Sequence, residues 1–433
     1  MMFGLHPGVI FAIAIALFLA LHVALRWPLP LAFVAVAVAA ALIGDFGIPF
    51  RHLVEGGFGF INLILALFAG AFFGHMMRAS GGTEAAAAGI VGAAGGRVLP
   101  VLALAALPLF VVGMFVGLAG VAVLSAGVFA VPALRRVGYD DASIAAFIAV
   151  MATAGMIAPP MNVPALLIAD SVNMPWTNVS RALLALALPL AVAALAWFTW
   201  GCGPTAGKAT VAVPGTPPKR ENAGIAATLL GFGPLLAIIA IWVGVRIFSD
   251  VLIDPASPLI LVIGGLVALP RTPRSELGNI VMATFTGTPL LLAAVLVTVG
   301  ILVQIMTLTG VRGWLVISTM ALTAPWNYLS LLLGIPLLGG ALTSMSVADV
   351  IGVPAAFSFI GQDMILNVAA LCALSSLAEF VPPTSIAAAL ACYVVGGVTV
   401  GQVFRRAWPP MTFLAVLAVL MLVFARQLTG VLT

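Results

Sequence analysis

The chain has 433 residues, of which 63% are hydrophobic and only 7% are charged. Soluble globular domains carry about 25% charged residues, so this composition excludes that class. The apolar runs are continuous rather than alternating, which predicts an all-α polytopic membrane protein. The net charge of +4 comes from 17 Lys and Arg in the short connections between the runs, where they report membrane orientation rather than nucleic-acid binding.

The first apolar run extends from about Gly8 to Leu25 and is followed by Arg26. In a secretory signal the basic residues come before the apolar run, whereas here the basic residue follows it. We therefore expect a first membrane helix here. Further helices are expected over about residues 29–43 and 57–77. Residues 78–97 predict a loop and then a short surface helix.

An uncharged run of about 37 residues, Val98–Leu134, is too long for one crossing. As a straight helix it would measure about 55 Å, whereas the hydrocarbon core of a bilayer is about 30 Å thick. Gly113, Gly117 and Gly120 lie near its middle. The pattern predicts a re-entrant hairpin over about residues 98–134, with irregular backbone that is buried in protein or lines a wet cavity.

Two consecutive prolines interrupt the next apolar run, which covers about residues 142–170. Pro159-Pro160 removes two backbone donors, so a continuous helix is excluded there. Residues 201–222 are rich in proline and basic residues and form a predicted cytoplasmic linker. The linker divides the chain into two halves, residues 1–200 and 223–433.

The second half follows the same plan as the first. A run of about residues 328–359 is again too long for one crossing and predicts a second hairpin, broken near Gly339-Gly340. Residues 363–390 form a second broken helix, interrupted at Pro382-Pro383.

Three sequence matches at nearly one offset predict that the halves are repeats. The two Pro-Pro pairs are 223 residues apart (382 − 159). Gly138 and Asp140 precede Gly361 and Asp363 by the same interval, and Val-Pro at 131–132 precedes Val-Pro at 353–354 by 222 (353 − 131).

Charge predicts how the halves insert. With the linker in the cytoplasm, 12 of the 17 Lys and Arg fall on the cytoplasmic side, as the positive-inside rule requires. The first hairpin then enters from the cytoplasm and the second from the opposite side, so we expect inverted repeats, which permit alternating access. The cytoplasmic basic residues are Arg26, Arg78, Arg97, Arg135, Arg136, Lys208, Lys219, Arg220, Arg271, Arg274, Arg405 and Arg406.

Broken membrane segments at matching positions of two halves point to a transporter's binding site. Unwound helix ends offer carbonyl oxygens to cations and amide donors to anions. In the first half the expected contributors are Thr153, Gly155, Pro159, Pro160 and Asn162. Thr153 has an equal alternative, a hydroxyl bonded back to its own helix.

The second half adds hydroxyls and carboxylates around its breaks, beside Pro382 and Pro383. Seven hydroxyl side chains predict a polar cavity: Thr343, Ser344, Ser346, Ser375, Ser376, Thr384 and Ser385. Asp349 and Glu379 are the ionisable residues deepest in the apolar runs, and each is expected to bind sodium or to take up a proton. The alternative for both is a paired structural carboxylate.

Four stretches carry a resemblance to a known family. They are Val-Pro-Ala-Leu-Arg-Arg-Val-Gly-Tyr-Asp at 131–140, Thr153–Asn162, Leu-Thr-Gly-Val at 308–311 and Val-Pro-Pro at 381–383. With them, nearly the whole chain resembles the large membrane subunit of tripartite ATP-independent periplasmic (TRAP) transporters, within the wider ion-transporter superfamily. The resemblance implies sodium and substrate sites at the hairpin tips and broken-helix loops, and an elevator-type domain that carries the substrate. It also implies two partners, a periplasmic substrate-binding protein and a small four-helix membrane subunit.

The sequence departs from that family's pattern at several site positions. Typical members have Gly-Ser-Ala-x-Ala-Asp at the first hairpin tip, where this chain has Leu118 in place of the serine and Ala122 in place of the aspartate. Met161 replaces a common serine, and Glu379 brings a carboxylate where typical members are apolar. These departures bear on the coupling ion and the substrate more than on the fold.

We therefore expect a secondary active transporter of the bacterial inner membrane that imports small organic anions, carboxylates in particular. Sodium is the expected coupling ion, no cofactor is expected, and no phosphate-binding Gly-x-x-x-x-Gly-Lys-Ser/Thr motif is present. One alternative is a stand-alone sodium- or proton-coupled carboxylate carrier of the same superfamily. A remote alternative is an intramembrane enzyme such as a metalloprotease, but His-Glu-x-x-His is absent. The cysteines show no paired spacing and predict no disulfide or metal site: Cys202, Cys372 and Cys392.

Overall fold

A computed structural model describes residues 5–174, 179–204, 225–248, 255–323, 326–359 and 363–432. Within these ranges the chain is all-helical and contains no strand. Six helices are long and apolar enough to cross a membrane, and a seventh is added if one bent pair counts as a single span. The prediction of an all-helical chain with several helices able to span a membrane is confirmed. Most of the predicted linker, together with Gly361, lies outside the described residues.

The first half contains eleven helices among its described residues. They are α1 (Pro7–Phe18), α2 (Leu29–Ile43), α3 (Phe50–Phe58), α4 (Ile61–Ala79), α5 (Gly82–Ala93), α6 (Val98–Val116), α7 (Ala119–Ser125), α8 (Gly127–Arg136), α9 (Asp141–Ile157), α10 (Val163–Ser171) and α11 (Val179–Ala196).

The second half contains twelve α-helices in its described part. They are α12 (Ile225–Ile247), α13 (Ala256–Val267), α14 (Leu277–Thr284), α15 (Gly287–Leu308), α16 (Val311–Met320), α17 (Trp326–Leu342), α18 (Ser344–Val347), α19 (Val353–Ser358), α20 (Met364–Ser376), α21 (Ile386–Val395), α22 (Val400–Val423) and α23 (Ala425–Leu432). A π-helical turn at 348–352 joins α18 to α19, and a 3₁₀ turn at 377–379 extends α20.

The helices that surround the two breaks follow the same order in both halves. α6 and α17 are each followed by a tight turn and two short helices, and α9 and α20 each lead to a Pro-Pro break and then to α10 or α21. The starts of α9 and α20 differ by 223 residues (364 − 141), as do those of α10 and α21 (386 − 163). Both Pro-Pro peptide bonds are cis.

The first hairpin turns at one of the predicted glycines. α6 ends at Gly117, which has a left-handed φ of 70°, a conformation that glycine adopts without steric cost. α7 and α8 then lead back and both pack against α6, with a bend of 58° between them. Every residue of α7 is buried, so the returning arm of the hairpin lies inside the protein.

The second hairpin turns at Thr343, three residues beyond the predicted position near Gly339-Gly340 (343 − 340). Both glycines lie inside α17. A Cβ on Gly339 would lie 2.5 Å from the Ala378 side chain, and one on Gly340 would lie 2.5 Å from that of Val381. These glycines therefore bring α17 close to the second break, and they do not form the turn.

The short helix predicted in residues 78–97 is present, and one of its faces is buried against other helices. It corresponds to α5, which packs against α8 and α12 and buries most of one face. A Cβ on Gly231 of α12 would lie 2.8 Å from the backbone nitrogen of Ala86. Small residues on the facing sides of α5 and α12 permit this close contact.

Helices α6 and α9 cross through a pair of facing glycines. A Cβ on Gly113 would lie 2.9 Å from the Ala152 carbonyl oxygen, and one on Gly155 would lie 2.5 Å from that of Phe110. Gly155, a predicted site residue, therefore has a packing role, because the crossing fixes the first hairpin beside the first break.

We predict that Gly155→Ala lowers the free energy of unfolding by about 2 kcal/mol, because its methyl group would overlap the α6 backbone. Gly233→Ala in α12 is the matched control, since a Cβ there meets no atom within 4 Å, and its effect should stay within about 1 kcal/mol. Circular dichroism during SDS titration in mixed micelles measures both. Equal losses in the two variants would contradict the proposed crossing.

Candidate functional site

The tips of both hairpins meet at one small cavity of about 30 Å³. The first tip contributes the start of α7, and the second contributes the start of α18. Two helices of the surrounding bundle, α4 and α15, and the second break close the remaining sides. The lining residues are Leu63, Leu67, Leu118, Ala119, Gly120, Val121, Leu296, Thr343, Ser344, Met345, Glu379 and Ile386.

Glu379 is the charged residue of this cavity, and its side chain is 3% exposed. Its Oε1 accepts a hydrogen bond from the Ser344 hydroxyl at the second hairpin tip. Its Oε2 accepts from the Ala387 backbone N–H, at 2.9 Å. Ala387 belongs to the first turn of α21, where backbone donors lack helical partners and the helix dipole favours an anion. One carboxylate thus ties the second tip to the helix that follows the second break.

The second break is tied to α17 through Thr384. Its backbone N–H and its hydroxyl both donate to the Gly340 carbonyl, each at 2.9 Å. Thr343 and Ser346 share a hydroxyl–hydroxyl hydrogen bond of 3.0 Å within the second tip. Ser385 is buried and starts α21 with a left-handed φ of 33°. Pro382 and Pro383 lie between these contacts, in the non-helical part of the chain.

Asn162 spans the first break. Its Nδ2 donates to the Ile157 carbonyl and its Oδ1 accepts from the Ala165 backbone N–H, each at 2.9 Å. The first contact closes the end of α9, and the second caps the start of α10 beyond Pro159-Pro160. A third contact comes from the other half of the chain, because the Cys372 thiol donates to Oδ1 at 3.0 Å.

Thr153 makes the alternative contact named for it above. Its hydroxyl donates to the Ala149 carbonyl of its own helix at 2.9 Å. Gly155 likewise uses its carbonyl locally, accepting from the Ala158 N–H at 3.0 Å. Neither residue lines the cavity.

Asp349 does not line the cavity, and its carboxylate forms an ion pair elsewhere. Its Oδ1 lies 2.7 Å from Arg312 Nη2, and the two side chains are 26% and 27% exposed. Arg312 also donates to the Asp349 backbone carbonyl at 3.2 Å. The pair joins α16 to the π-helical turn of the second hairpin, so Asp349 has the paired role that was its alternative.

Of the residues predicted to form the site, the structure brings Thr343, Ser344 and Glu379 together at the cavity and leaves the others outside its lining. The sequence analysis did not predict that Thr343 forms the second turn or that Cys372 bonds to Asn162. No local sequence pattern marks either feature. The sequence also did not predict that the apolar first tip, with Leu118, faces Glu379 across the same cavity. Among the described residues, no three His, Cys, Asp or Glu side chains lie close enough together to hold a metal ion. A cation at the cavity would therefore rely on Glu379, hydroxyls and backbone carbonyls.

The cavity is small on the scale of organic substrates. A volume of about 30 Å³ exceeds the roughly 10–15 Å³ that one water needs, and it is far below the roughly 300 Å³ at which ligand pockets begin. The arrangement therefore has room for an ion or a water molecule between the two tips.

Known proteins were compared with the chain as a whole. No protein-family model matches it, and no curated protein matches it. The function is therefore argued from the geometry of the cavity and from the order of the helices around it.

We predict that Asn162→Ala lowers the free energy of unfolding by about 2–3 kcal/mol, because it leaves the Ile157 carbonyl and the Ala165 N–H buried and unpaired. Thr153→Val is the matched control. It removes a hydroxyl bonded only to its own helix and should change stability by at most about 1 kcal/mol. SDS titration followed by circular dichroism measures both. A larger loss for Thr153→Val than for Asn162→Ala would refute these structural roles.

Proposed function

We propose that this chain is the large membrane subunit of a secondary active transporter of the bacterial inner membrane. It imports small organic anions, carboxylates in particular, and is driven by an ion gradient, for which the sequence resemblance implies sodium. In the TRAP-type arrangement that the sequence resembles, a periplasmic binding protein delivers the substrate and a small membrane subunit braces the scaffold.

The observation that carries this proposal is the meeting of both hairpin tips at one cavity next to the second break. In transporters built from inverted repeats, ion and substrate sites lie near the middle of the membrane, where discontinuous helices of the two repeats meet. Here Gly120 of the first tip, Ser344 of the second tip and Glu379 beside Pro382-Pro383 line the same space. A purely structural role for two helix breaks would not require that both tips converge on a carboxylate.

The matching helix order supports the proposal of inverted repeats. Each half runs through a hairpin, a helix, a Pro-Pro break, a second helix and a further long helix. Together with the bias of Lys and Arg toward one side, this supports opposite insertion of the two halves. An elevator-type movement would then carry the hairpins and the broken helices as one unit past the remaining helices.

A stand-alone carrier without a binding protein is the second candidate. Two features favour it over the TRAP-type arrangement, namely the carboxylate of Glu379 and the apolar residues Leu118 and Ala122 at the first tip. The intramembrane enzyme has less support, since the described residues contain no cluster of potential metal ligands.

We predict that cysteines placed at equivalent loops of the two halves react from opposite sides of the membrane. Ala93→Cys is placed at the last residue of α5 and Leu322→Cys just after α16, and both positions are exposed. In a variant whose three native cysteines are replaced, a membrane-impermeant maleimide should label Leu322→Cys in intact cells and Ala93→Cys only after permeabilisation. Labelling of both from the same side would exclude inverted repeats.

The transport function is tested in proteoliposomes that contain the purified chain, alone and with its candidate partners. Radiolabelled mono- and dicarboxylates are offered with an inward sodium gradient, an inward proton gradient or no gradient. We expect a gradient to raise accumulation of at least one carboxylate by about tenfold, and Glu379→Gln to abolish that increase.

Two controls sharpen the transport measurement. The Gly233→Ala variant should transport like wild type, because it alters neither the cavity nor a close contact. A requirement for added binding protein distinguishes the TRAP-type subunit from the stand-alone carrier. Uptake of every carboxylate that is indifferent to both gradients would overturn the proposal.

A further inference from the structure

The two hydrogen-bond partners of the Glu379 carboxyl group differ in whether they can act as acceptors as well as donors. The Ala387 backbone N–H can only donate, so Oε2 is an acceptor in every protonation state. The Ser344 hydroxyl can donate or accept. When Glu379 is ionised, the hydroxyl donates to Oε1, and when Oε1 carries a proton, the hydroxyl accepts from it. Both contacts therefore survive the gain or loss of a proton.

No counter-charge faces Glu379 among the described residues. It makes no ion pair, and it is the only titratable group in the cavity lining. The helices packed against residues 377–379 are α17, α18, α20 and α21. Their titratable residues are Tyr328, Cys372, Cys392 and Tyr393, none of which lines the cavity. A carboxylate buried without a cation is costly, whereas a neutral carboxyl with both oxygens hydrogen-bonded is tolerated.

In the part of the chain that the structure describes, the wider surroundings also lack a free cation near the cavity. On α4, which lines the cavity through Leu63 and Leu67, His75 contacts the Tyr393 hydroxyl at 3.2 Å and Arg78 donates to the Val394 carbonyl at 2.6 Å. On the second hairpin, Asp349 is paired with Arg312. These groups have partners of their own outside the cavity.

The surroundings suit a proton better than sodium. Transporters bind sodium through unwound carbonyls and the C-terminal ends of half-helices. Glu379 ends the turn that extends α20, but the Leu377 and Ala378 carbonyls of that turn already accept from backbone N–H groups at 3.1 and 3.2 Å. The carboxyl group of Glu379 accepts from the first turn of the ten-residue helix α21, whose dipole repels a cation. The first tip adds only apolar side chains from Leu118 to Val121. A proton needs only one carboxyl oxygen, and the cavity is large enough to admit one water that delivers or removes it.

We propose that Glu379 is a proton-binding site, and that the proton it carries is the coupling ion at the cavity between the hairpin tips. Oε1 takes the proton from water on one side of the membrane, forms an O–H that donates to Ser344, and returns the proton to water on the other side. This inference rests on the proposed transport function and specifies the ion at its site.

The test is infrared difference spectroscopy of the purified, lipid-reconstituted full chain, titrated from about pH 5 to about pH 9 in H₂O and D₂O. We expect a protonated-carboxyl C=O band that is sensitive to deuterium and decreases as the pH rises. Glu379→Gln should remove this band, whereas Asp349→Asn, which alters a paired carboxylate outside the cavity, should retain it. A band that is absent at every pH, or that is lost in Asp349→Asn but kept in Glu379→Gln, would overturn the proposal.

Two further arms keep the result decisive. Ser344→Ala should shift the frequency of the band, because the neutral carboxyl loses its hydrogen-bond partner, and this arm remains informative if Glu379→Gln does not fold. In the last arm, the choline of the buffer is replaced by sodium at constant pH and ionic strength. An unchanged band supports proton binding, whereas loss of the band on sodium addition would assign the site to sodium. Since no substrate is needed, a negative transport assay and a negative infrared result are separate outcomes.

Discussion

The two Pro-Pro breaks interrupt apolar helices and free backbone groups that need partners within the protein, and the arrangement of the site follows from how these groups are paired. In the first half Asn162 bonds to both sides of the break. In the second half Thr384 holds the break to α17, and Glu379 accepts from the first turn of α21. Each break is thus closed by protein groups, and each closing residue also contacts another element of the fold.

The two closures differ in chemistry, and this difference makes the halves functionally unequal. The Asn162 carboxamide cannot change its charge, and its three contacts hold the first break in one arrangement. Glu379 can gain or lose a proton and is bonded to a hydroxyl that can reverse its direction. With Leu118 and Ala122 at the first tip, that half brings no polar side chain to the cavity. The polar and titratable side chains that line the cavity, among the described residues, therefore belong to the second half.

Close glycine contacts explain how irregular backbone can be held at this depth. Gly113 and Gly155 bring α6 against α9, and Gly340 brings α17 against the second break. The same device joins α3 to α15, where a Cβ on Gly56 would lie 2.7 Å from the Gly300 carbonyl oxygen. Helices in lipid gain little from burying apolar surface against each other, so small residues that permit close backbone approach provide much of their association.

Sequence alone determined the features that depend on local length and local chemistry. Apolar runs longer than a bilayer crossing predicted the hairpins, Pro-Pro removed the helical hydrogen bonds at both breaks, and Gly117 marked a turn that needs a left-handed φ. Only the tertiary structure decided which side chains meet. Ser344 reaches Glu379 from 35 residues away and Cys372 reaches Asn162 from 210 residues away. Such contacts depend on how the helices pack, and neither spacing nor composition encodes that packing locally, which is why Thr343 rather than Gly339-Gly340 forms the second turn.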